Sequence, residues 1–392
     1  MNLMENSSRA QAGYRERFQE DTMRIDMHCH VIGNGTDIRN TGNDVYLYAE
    51  DNQLLFTRIL AELIEISLKE MKSDLNNDGE ISTGEYFDLL YKLLCSSGEI
   101  DGMVLLALDA VYSPKTGLLD ERKTDLWVSN RFLAEKVEEL NERLQKEPAP
   151  INKKRFFFGA SVSPNRKDWE AELSYVINKT GAVLMKWIPS TQHIHLADYR
   201  HKDFYKALSG ANMPLLCHVG PEYSFPEGIK KRDLDNYKYL ESPLVHGVTV
   251  IAAHCAAPVF PVIDENTMPD FYALMKNANS GSRIRLWADT SALSLSTRLP
   301  FIQEIRSTFP PEWLMHGSDF PIPVGGGPYS VYSAQGMTPA EYIEKYIELY
   351  REMRKTKNPL DIDVKIKRAH GFSEEIISNA DKVLRIPAML RS

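Results

Sequence analysis

The first apolar segment of the chain contains two histidines that could share a metal ion. It reads RIDMHCH over residues 24–30. Side chains at positions i and i+2 of a strand point to the same face, so His28 and His30 can hold one cation together. A second pair, His193 and His195, lies in a polar stretch and has the weaker context. So short a motif is a weak signal alone. Its interpretation as a metal site depends on candidate ligands further along the chain.

Several ionisable residues follow later apolar segments, where burial would be costly without a partner. Each could instead be a core residue with an ordinary hydrogen-bond partner, but together with the first histidine pair they predict a divalent metal centre. Imidazole and carboxylate ligands suit zinc, manganese, iron or nickel, and zinc is the first choice. The residues are Lys186 in GAVLMKWIP, His218 in MPLLCHVG, His254 in VTVIAAHC and Asp319 in WLMHGSDFP.

Short apolar segments alternate with amphipathic stretches along the chain, a rhythm typical of repeated βα units. Eight such segments predict an α/β fold, a (β/α)8 TIM barrel, with an open doubly wound sheet as the competing fold. In a barrel, functional side chains collect at the C-terminal ends of the strands, which would bring the metal candidates together. The predicted strands are Arg24–Met27, Gly102–Leu108, Phe156–Val162, Ala182–Ile188, Pro214–His218, Val248–His254, Ile284–Ala288 and Trp313–His316.

The spacing of the predicted strands indicates how the domain is organised. We predict an N-terminal arm over residues 1–21 and a barrel over 22–392, interrupted by a helical insertion over 52–98. The connection 321–337 contains three consecutive glycines at 325–327. It lacks the Gly-Lys-Ser/Thr ending of a phosphate loop, so we interpret it as a lid rather than a nucleotide site.

The insertion contains a segment, DLNNDGEISTGE over residues 74–85, that resembles an EF-hand calcium loop. A glycine stands at the sixth position, and helical patterns flank the loop. A solvated acidic loop is the alternative. No second such loop is found in the sequence, so we expect a structural calcium site rather than a sensor. The ligands would be the side chains of Asp74, Asn76 and Asp78, the carbonyl of Glu80, a water on Ser82, and both carboxylate oxygens of Glu85.

The ordered H-x-H, H, H and D residues resemble the amidohydrolase superfamily, whose members are metal-dependent enzymes on a (β/α)8 barrel. The branch that includes aminocarboxymuconate semialdehyde decarboxylase-like proteins is the most similar, and MKWIPS and HGSDFP resemble its predicted hydrolases. The resemblance implies that His28, His30 and Asp319 bind a first metal and that His218 is also a ligand. His254 would bind a second metal or orient the attacking water.

The resemblance leaves the number of metal ions at one or two per chain, and Lys186 distinguishes the two cases. In binuclear relatives, a carboxylated lysine at this position bridges two metals. Carboxylation requires a neutral amine, which a desolvated pocket beside cations would favour. Alternatively, Lys186 stays an ammonium and pairs with a carboxylate of the substrate or of the protein.

We therefore expect hydrolysis of a C–N or C–O bond in an amide, lactone or cyclic imide, with Asp319 as the catalytic proton acceptor and His254 as the second catalytic residue, which steers the attacking water when one metal is bound. Non-oxidative decarboxylation of a carboxylated aromatic or a semialdehyde is the alternative. A calcium-responsive binding or scaffold protein on an inactive barrel would require a lost metal ligand, and none is missing. Arg298, Tyr223, Trp187 and His316 could line the pocket, although Trp187 is better placed for core packing.

Composition excludes other classes of protein. The chain has 392 residues, a net charge of −8, 43% hydrophobic residues and a pI near 5.8. This charge disfavours nucleic-acid binding, and no apolar segment reaches the length of a bilayer span. Four cysteines form no disulfide framework. We expect a cytoplasmic enzyme with a small-molecule substrate and leave open whether it forms a homo-oligomer.

Overall fold

A computed structural model provides the structure of the protein. No helix among the described residues has both the length and the apolar character needed to cross a bilayer. The first four candidate calcium ligands, the N-terminal arm and residues 323–337 of the glycine-rich connection lie outside the described residues. The structure describes residues 22–33, 35, 45–47, 82–295, 297–322, 338–341, 355–387 and four single positions between 343 and 351.

Within these residues, eight parallel strands form one sheet with helices between them, so the predicted (β/α)8 barrel is confirmed. All eight predicted strands are present, most of them shortened by one to four residues. A two-stranded antiparallel sheet, β2 (Tyr46–Leu47) and β4 (Leu126–Trp127), was not predicted. The barrel strands are β1 (Ile25–His30), β3 (Gly102–Leu106), β5 (Arg155–Ala160), β6 (Leu184–Trp187), β7 (Leu215–Cys217), β8 (Val250–Ala252), β9 (Leu286–Asp289) and β10 (Leu314–Met315).

The longer described helices bury apolar residues in the core. The longest is α2, which begins and ends where the periodicity predicted, with the Ser129 hydroxyl accepting from the Phe132 amide at its start. The helices are α1 (Thr83–Ser96), α2 (Asn130–Gln145), α3 (Trp169–Lys179), α4 (Pro189–Gln192), α5 (Lys202–Gly210), α6 (Pro226–Lys230), α7 (Glu241–Val245), α8 (Met268–Ala278), α9 (Ile302–Thr308), α10 (Pro359–Ala369) and α11 (Glu375–Val383).

Backbone hydrogen bonds join the first strand to the segment after the last one and close the barrel. The amide of His30 donates to the carbonyl of Phe320 at 2.7 Å, and the amide of Asp319 donates to the carbonyl of His28 at 2.8 Å. Residues that are nearly 300 positions apart in sequence are therefore adjacent. This seam places the end of β1 next to the loop after β10, where three of the predicted ligands lie.

An apolar cluster fills the interior at the N-terminal ends of the strands. Ile25 and Met27 of β1 belong to it, and Leu384 and Ile386 from the end of the chain pack against it from below. A bulge between Asp26 and Cys29 changes the register of β1 against β3. Bulges re-aim side chains, and this one lies where β1 passes from the apolar interior to the two histidines.

Candidate metal centre and cavity

Three predicted ligands meet at the barrel seam. The Nε2 atoms of His28 and His30 lie 3.2 Å apart, and Oδ1 of Asp319 lies 3.2 Å from each of them. Atoms about 2.1 Å from a shared cation are separated by about 3.0–3.4 Å in octahedral or tetrahedral coordination. Among the described residues, these three form the one group of His, Cys, Asp and Glu side chains with such spacing.

The proton positions at this group favour a cation. Nδ1 of His28 donates to Oδ2 of Asp289 at 2.7 Å, which leaves Nε2 as an acceptor. That acceptor faces the carboxylate of Asp319, another acceptor, inside the barrel. Two buried acceptors in contact repel unless a cation or a donor lies beside them, and the amine of Lys186, 2.9 Å from the same Nε2, can be that donor when no metal is bound. The residues therefore fit a divalent metal ion.

Asp289, which the sequence analysis missed, orients several of these groups. Its Oδ1 accepts from the amide of His254 at 2.8 Å and from the amide and hydroxyl of Ser291. Burial acts to raise the pKa of Asp289, but the contact with His28 outweighs burial and lowers it below the usual range. The signal for Asp289 in the sequence was an acidic residue at the end of an apolar strand. It was missed because the predicted strand ended at Ala288, one residue too early.

His218 and His254 form a second pair beside the first group. Nδ1 of His218 lies 3.2 Å from Nε2 of His254, whose own Nδ1 donates to the carbonyl of Ser291 at 3.0 Å. Nε2 of His218 is buried and has no hydrogen-bond partner in the described part of the chain. Burial, followed by the charge of Arg298, lowers the pKa of His254 to about 3, and burial holds the pKa of His218 well below its usual range. Both rings are therefore neutral and available as ligands.

Lys186 projects from β6 toward the first group. Its Nζ lies 2.9 Å from Nε2 of His28, and the side chain is fully buried. Burial lowers its pKa, which favours the neutral amine. Burial acts to raise the pKa of Asp319, yet the histidines around the carboxylate hold it well below its usual range. Asp319 and His254 have positive φ angles of 67° and 59°, a rare conformation that is common at functional sites.

A cavity of about 300 Å³ opens above these residues. His30, His218, His254 and Asp319 form part of its wall, so the candidate ligands are accessible to a small molecule. Five further polar residues line it, and three of them, Glu222, Ser224 and Thr297, were not predicted; the other two are Tyr223 and Arg298. The rest of the wall is largely apolar, formed by Ile32, Leu126, Ile188, Pro221, Phe225, Val259, Phe260, Ala292, Leu295, Pro321 and Ile322.

Two of the four residues suggested for the pocket lie elsewhere. Trp187 points away from the barrel interior and donates from Nε1 to the carbonyl of Val162 at 2.9 Å, which confirms its core position. His316 is buried near Asp363 of α10, at 3.9 Å, and does not line the cavity. It follows Met315, the last residue of β10, on the side where α10 and α11 pack.

The second histidine pair does not join the metal candidates. Nε2 of His193 lies 3.3 Å from a carboxylate oxygen of Glu227, and the ring of His195 packs against Tyr239. Among the described residues, neither histidine belongs to the group at the seam.

The end of the candidate calcium loop is described and begins α1. The hydroxyl of Ser82 accepts from the amide of Glu85, and the carboxylate of Glu85 accepts from the amide and hydroxyl of Ser82 at 2.9 Å. This is a capping box. One residue later, the hydroxyl of Tyr86 donates to the carbonyl of His30 at 2.8 Å, so α1 contacts the backbone of a candidate metal ligand.

Comparison with known protein families identifies the family of this chain. The family model named amidohydrolase matches residues 100–341. The chain belongs to the amidohydrolase family. No curated protein sequence matches this amidohydrolase.

Two solved structures are similar to this amidohydrolase. One is an uncharacterized TIM-barrel protein from Bordetella bronchiseptica, with 15% identity and a TM-score of 0.47, covering 91% of this chain and 99% of its own. The other is 5-carboxyvanillate decarboxylase from Sphingomonas paucimobilis, with 12% identity and a TM-score of 0.43, covering 93% and 100%.

Proposed function

We propose that this amidohydrolase is a metal-dependent hydrolase that cleaves a C–N or C–O bond of a small molecule. The observation that carries the proposal is the set of three ligand atoms, from His28, His30 and Asp319, lying 3.2 Å apart beside a cavity. Zinc is the first choice for nitrogen and oxygen ligands at this spacing, and manganese, iron and nickel accept the same ligands.

The chain's own residues supply positioning and proton transfer. A bound divalent cation lowers the pKa of its water toward about 7 and polarises a carbonyl oxygen. Asp319, whose pKa is held low, is ionised at neutral pH and can accept the proton of the attacking water and deliver it to the leaving group. Asp289 fixes the tautomer of His28, and the apolar wall excludes bulk water. Amides, lactones and cyclic imides are the expected substrate classes.

The arrangement also supports a second cation. His218 and His254 present facing nitrogens beside the first group, and the amine of Lys186 lies within contact of His28. A neutral Lys186 could be carboxylated and bridge two ions, as binuclear relatives do. Two ions per purified chain would support a metal pair bridged by Lys186. One ion per chain would rule out that pair, and His254 would then orient the attacking water.

The experiment is elemental analysis of the purified chain combined with a hydrolysis screen of amides, lactones and cyclic imides. We expect one or two divalent ions per chain and turnover that Asp319→Asn reduces by orders of magnitude, with an unchanged circular dichroism spectrum. A chain without divalent metal would contradict the proposal and favour the scaffold interpretation. Unchanged turnover in Asp319→Asn would remove that residue from proton transfer.

Non-oxidative decarboxylation is the second candidate. The buried guanidinium of Arg298 in the cavity wall favours it, because the carboxylate of such a substrate needs a cationic partner. Release of carbon dioxide from carboxylated aromatics, without hydrolysis of any neutral ester or amide, would select this reaction.

We further propose that residues 74–85 bind calcium and stabilise the insertion over 52–98. The spacing of the oxygen ligands supports this, as does the start of α1 at Thr83, within the last three residues of the loop. Calorimetric titration of calcium is the test, with Glu85→Gln as the variant, because glutamine can keep the capping box but cannot supply a bidentate carboxylate. Identical isotherms for both proteins would argue against calcium ligation.

A further inference from the structure

Asp363 and Lys367 form a buried ion pair one helical turn apart on α10. They are 0% and 1% exposed, and Nζ of Lys367 lies 2.5 Å from Oδ2 of Asp363. Removing two charges from water costs free energy that their attraction only partly returns, so such a pair adds little stability by itself. What the pair does for the fold therefore depends on the other hydrogen bonds that its polar atoms make.

Those hydrogen bonds reach two loops that follow barrel strands. Nζ of Lys367 donates to the carbonyl of Gly317 at 2.7 Å, in the connection after β10. Oδ1 of Asp363 accepts from the hydroxyl of Ser294 at 2.6 Å, in the connection after β9. One buried pair on α10 therefore holds the loop that leads to Asp319 and the loop that supplies part of the cavity wall.

The peptide of Gly317 lies directly against a candidate metal ligand. A Cβ atom at position 317 would be 2.7 Å from Cβ of His28 and 3.2 Å from Cβ of Ser291. Carbon atoms in contact prefer larger separations, so glycine allows this segment to pack on His28. Two residues later, the amide of Asp319 donates to the carbonyl of His28 at 2.8 Å. Residues 317–319 are thus fixed by Lys367 at their start and by β1 at their end.

Asp319 needs this support because of its backbone conformation. Its φ angle is 67°, which costs an aspartate free energy and persists only where the surrounding structure holds it. Its Oδ1 must also stay 3.2 Å from Nε2 of both His28 and His30 for the three atoms to share an ion. A shift of the Gly317 peptide would change both distances.

We infer that Asp363 and Lys367 are positioning residues for the candidate metal centre. Lys367 fixes the Gly317 peptide, which sets where the carboxylate of Asp319 lies relative to the two histidines. The inference rests on the proposed function in taking Asp319 and these histidines as ligands. Neither Asp363 nor Lys367 lines the cavity, so the pair acts through the loops and not on a substrate.

The test variant is Asp363→Asn combined with Lys367→Met. Replacing both partners leaves no unpaired buried charge, which favours a folded variant. Methionine fills the space of the lysine stem but cannot donate to Gly317, whereas asparagine still accepts from Ser294. If this variant does not fold, Asp363→Asn with Lys367→Gln makes the same comparison, because the amide of glutamine ends one bond short of the lysine nitrogen.

Lys154→Met is the matched control. Lys154 is also buried, and its Nζ donates to two backbone carbonyls, those of Ser97 and Ile100, at 2.8 and 2.6 Å. Both carbonyls precede β3, at the opposite end of the strands from the centre. The control therefore loses the same kind of hydrogen bond without touching residues 317–319.

Amide hydrogen exchange on the chelated, metal-free protein is the first measurement. A peptide covering β7 serves as the internal reference for overall stability. Relative to that peptide, residues 316–320 should exchange about tenfold faster in the double variant, the effect of one lost hydrogen bond to a charged group. In the control they should exchange at the wild-type rate.

Metal binding is the second measurement. Competition with a fluorescent chelator should show about tenfold lower affinity in the double variant, as is typical when an outer partner of a metal site is lost. The visible spectrum of the cobalt-substituted protein should change as well, since it reports the geometry of the ligands. The control should match the wild type in affinity and spectrum.

Unchanged exchange over residues 316–320 would overturn the inference, whatever the metal content. Faster exchange with wild-type metal affinity and cobalt spectrum would also overturn it, because the pair would then support the loop without positioning Asp319. A wild-type chain that binds no divalent metal would contradict the proposed function and remove the metal role with it, whereas the other two results contradict this inference alone.

Discussion

At the scale of single residues, the candidate centre depends on Asp289, a buried aspartate that does not line the cavity. Asp289 accepts from Nδ1 of His28 at 2.7 Å, and it also accepts from the backbone of His254. It therefore fixes which nitrogen of His28 can bind a metal and holds the loop that carries His254. Such outer partners typically contribute ten- to a hundredfold to metal affinity or activity.

Asp289→Asn is expected to lower metal affinity about ten- to a hundredfold, because an amide cannot attract the Nδ1 proton as a carboxylate does. Competition with a fluorescent chelator measures the affinity. Asp101→Asn is the control, since it loses an ion pair with Arg24 at the opposite end of the barrel strands. It should lower stability slightly and leave metal affinity intact. Equal affinities in wild type and Asp289→Asn would show that Asp289 does not orient His28.

A buried histidine away from the centre makes stability depend on pH. Nε2 of His201 lies 3.2 Å from the side-chain oxygen of Asn165, and burial lowers the pKa of His201 to about 4. The unfolded chain therefore binds a proton between pH 6.5 and 4 that the native chain does not, and acid favours unfolding in this range.

His201→Gln should remove this dependence. Relative to the variant, the wild type should lose up to roughly 3 kcal/mol of unfolding free energy as the pH falls from 6.5 to 4. Urea unfolding at several pH values measures the difference. Parallel pH curves for the two proteins would mean that His201 is protonated in the folded state.

At the scale of elements, α1 (Thr83–Ser96) contacts the centre. Its buried face packs in the main core, and Tyr86 reaches the carbonyl of His30. Tyr86→Phe should lower the unfolding free energy by about 1 kcal/mol and weaken metal retention, because the backbone of His30 is freed. Dialysis against chelator measures the retention.

Tyr91→Phe is the matched control on the same helix. Its hydroxyl donates to Glu147 at 2.8 Å, away from the cavity. A similar loss of stability is expected, with metal retention unchanged. If both variants lost metal equally, the contact of Tyr86 with His30 would have no separate role.

Strand ends were predictable from sequence, whereas loop contributions were not. His28, His218 and Asp319 follow apolar segments, and the parallel topology alone brings such ends to one edge. Glu222 and Thr297 lie in connections whose paths depend on packing between distant segments. No local pattern in the sequence indicates that Glu222 lines the same cavity as Thr297.

At the scale of the whole molecule, the candidate centre joins the two ends of the barrel. His28 comes from the first strand, and Asp319 follows the last, with backbone hydrogen bonds between them at the seam. An ion held by both residues binds the folded chain and not the unfolded one, because unfolding separates its ligands. Metal binding should therefore stabilise the native state through mass action.

Removal of the metal should accordingly lower the melting temperature. A free ion at about 1,000 times its Kd contributes about 4 kcal/mol to the unfolding free energy, so chelation should shift the transition by several degrees, and added zinc should restore it. Asp319→Asn removes one ligand from the seam, and its transition should respond little to chelator or zinc. Scanning calorimetry of both proteins makes the comparison. A wild-type transition that chelator leaves unmoved would mean that no ion spans the seam, because the stabilisation follows from binding alone and not from catalysis.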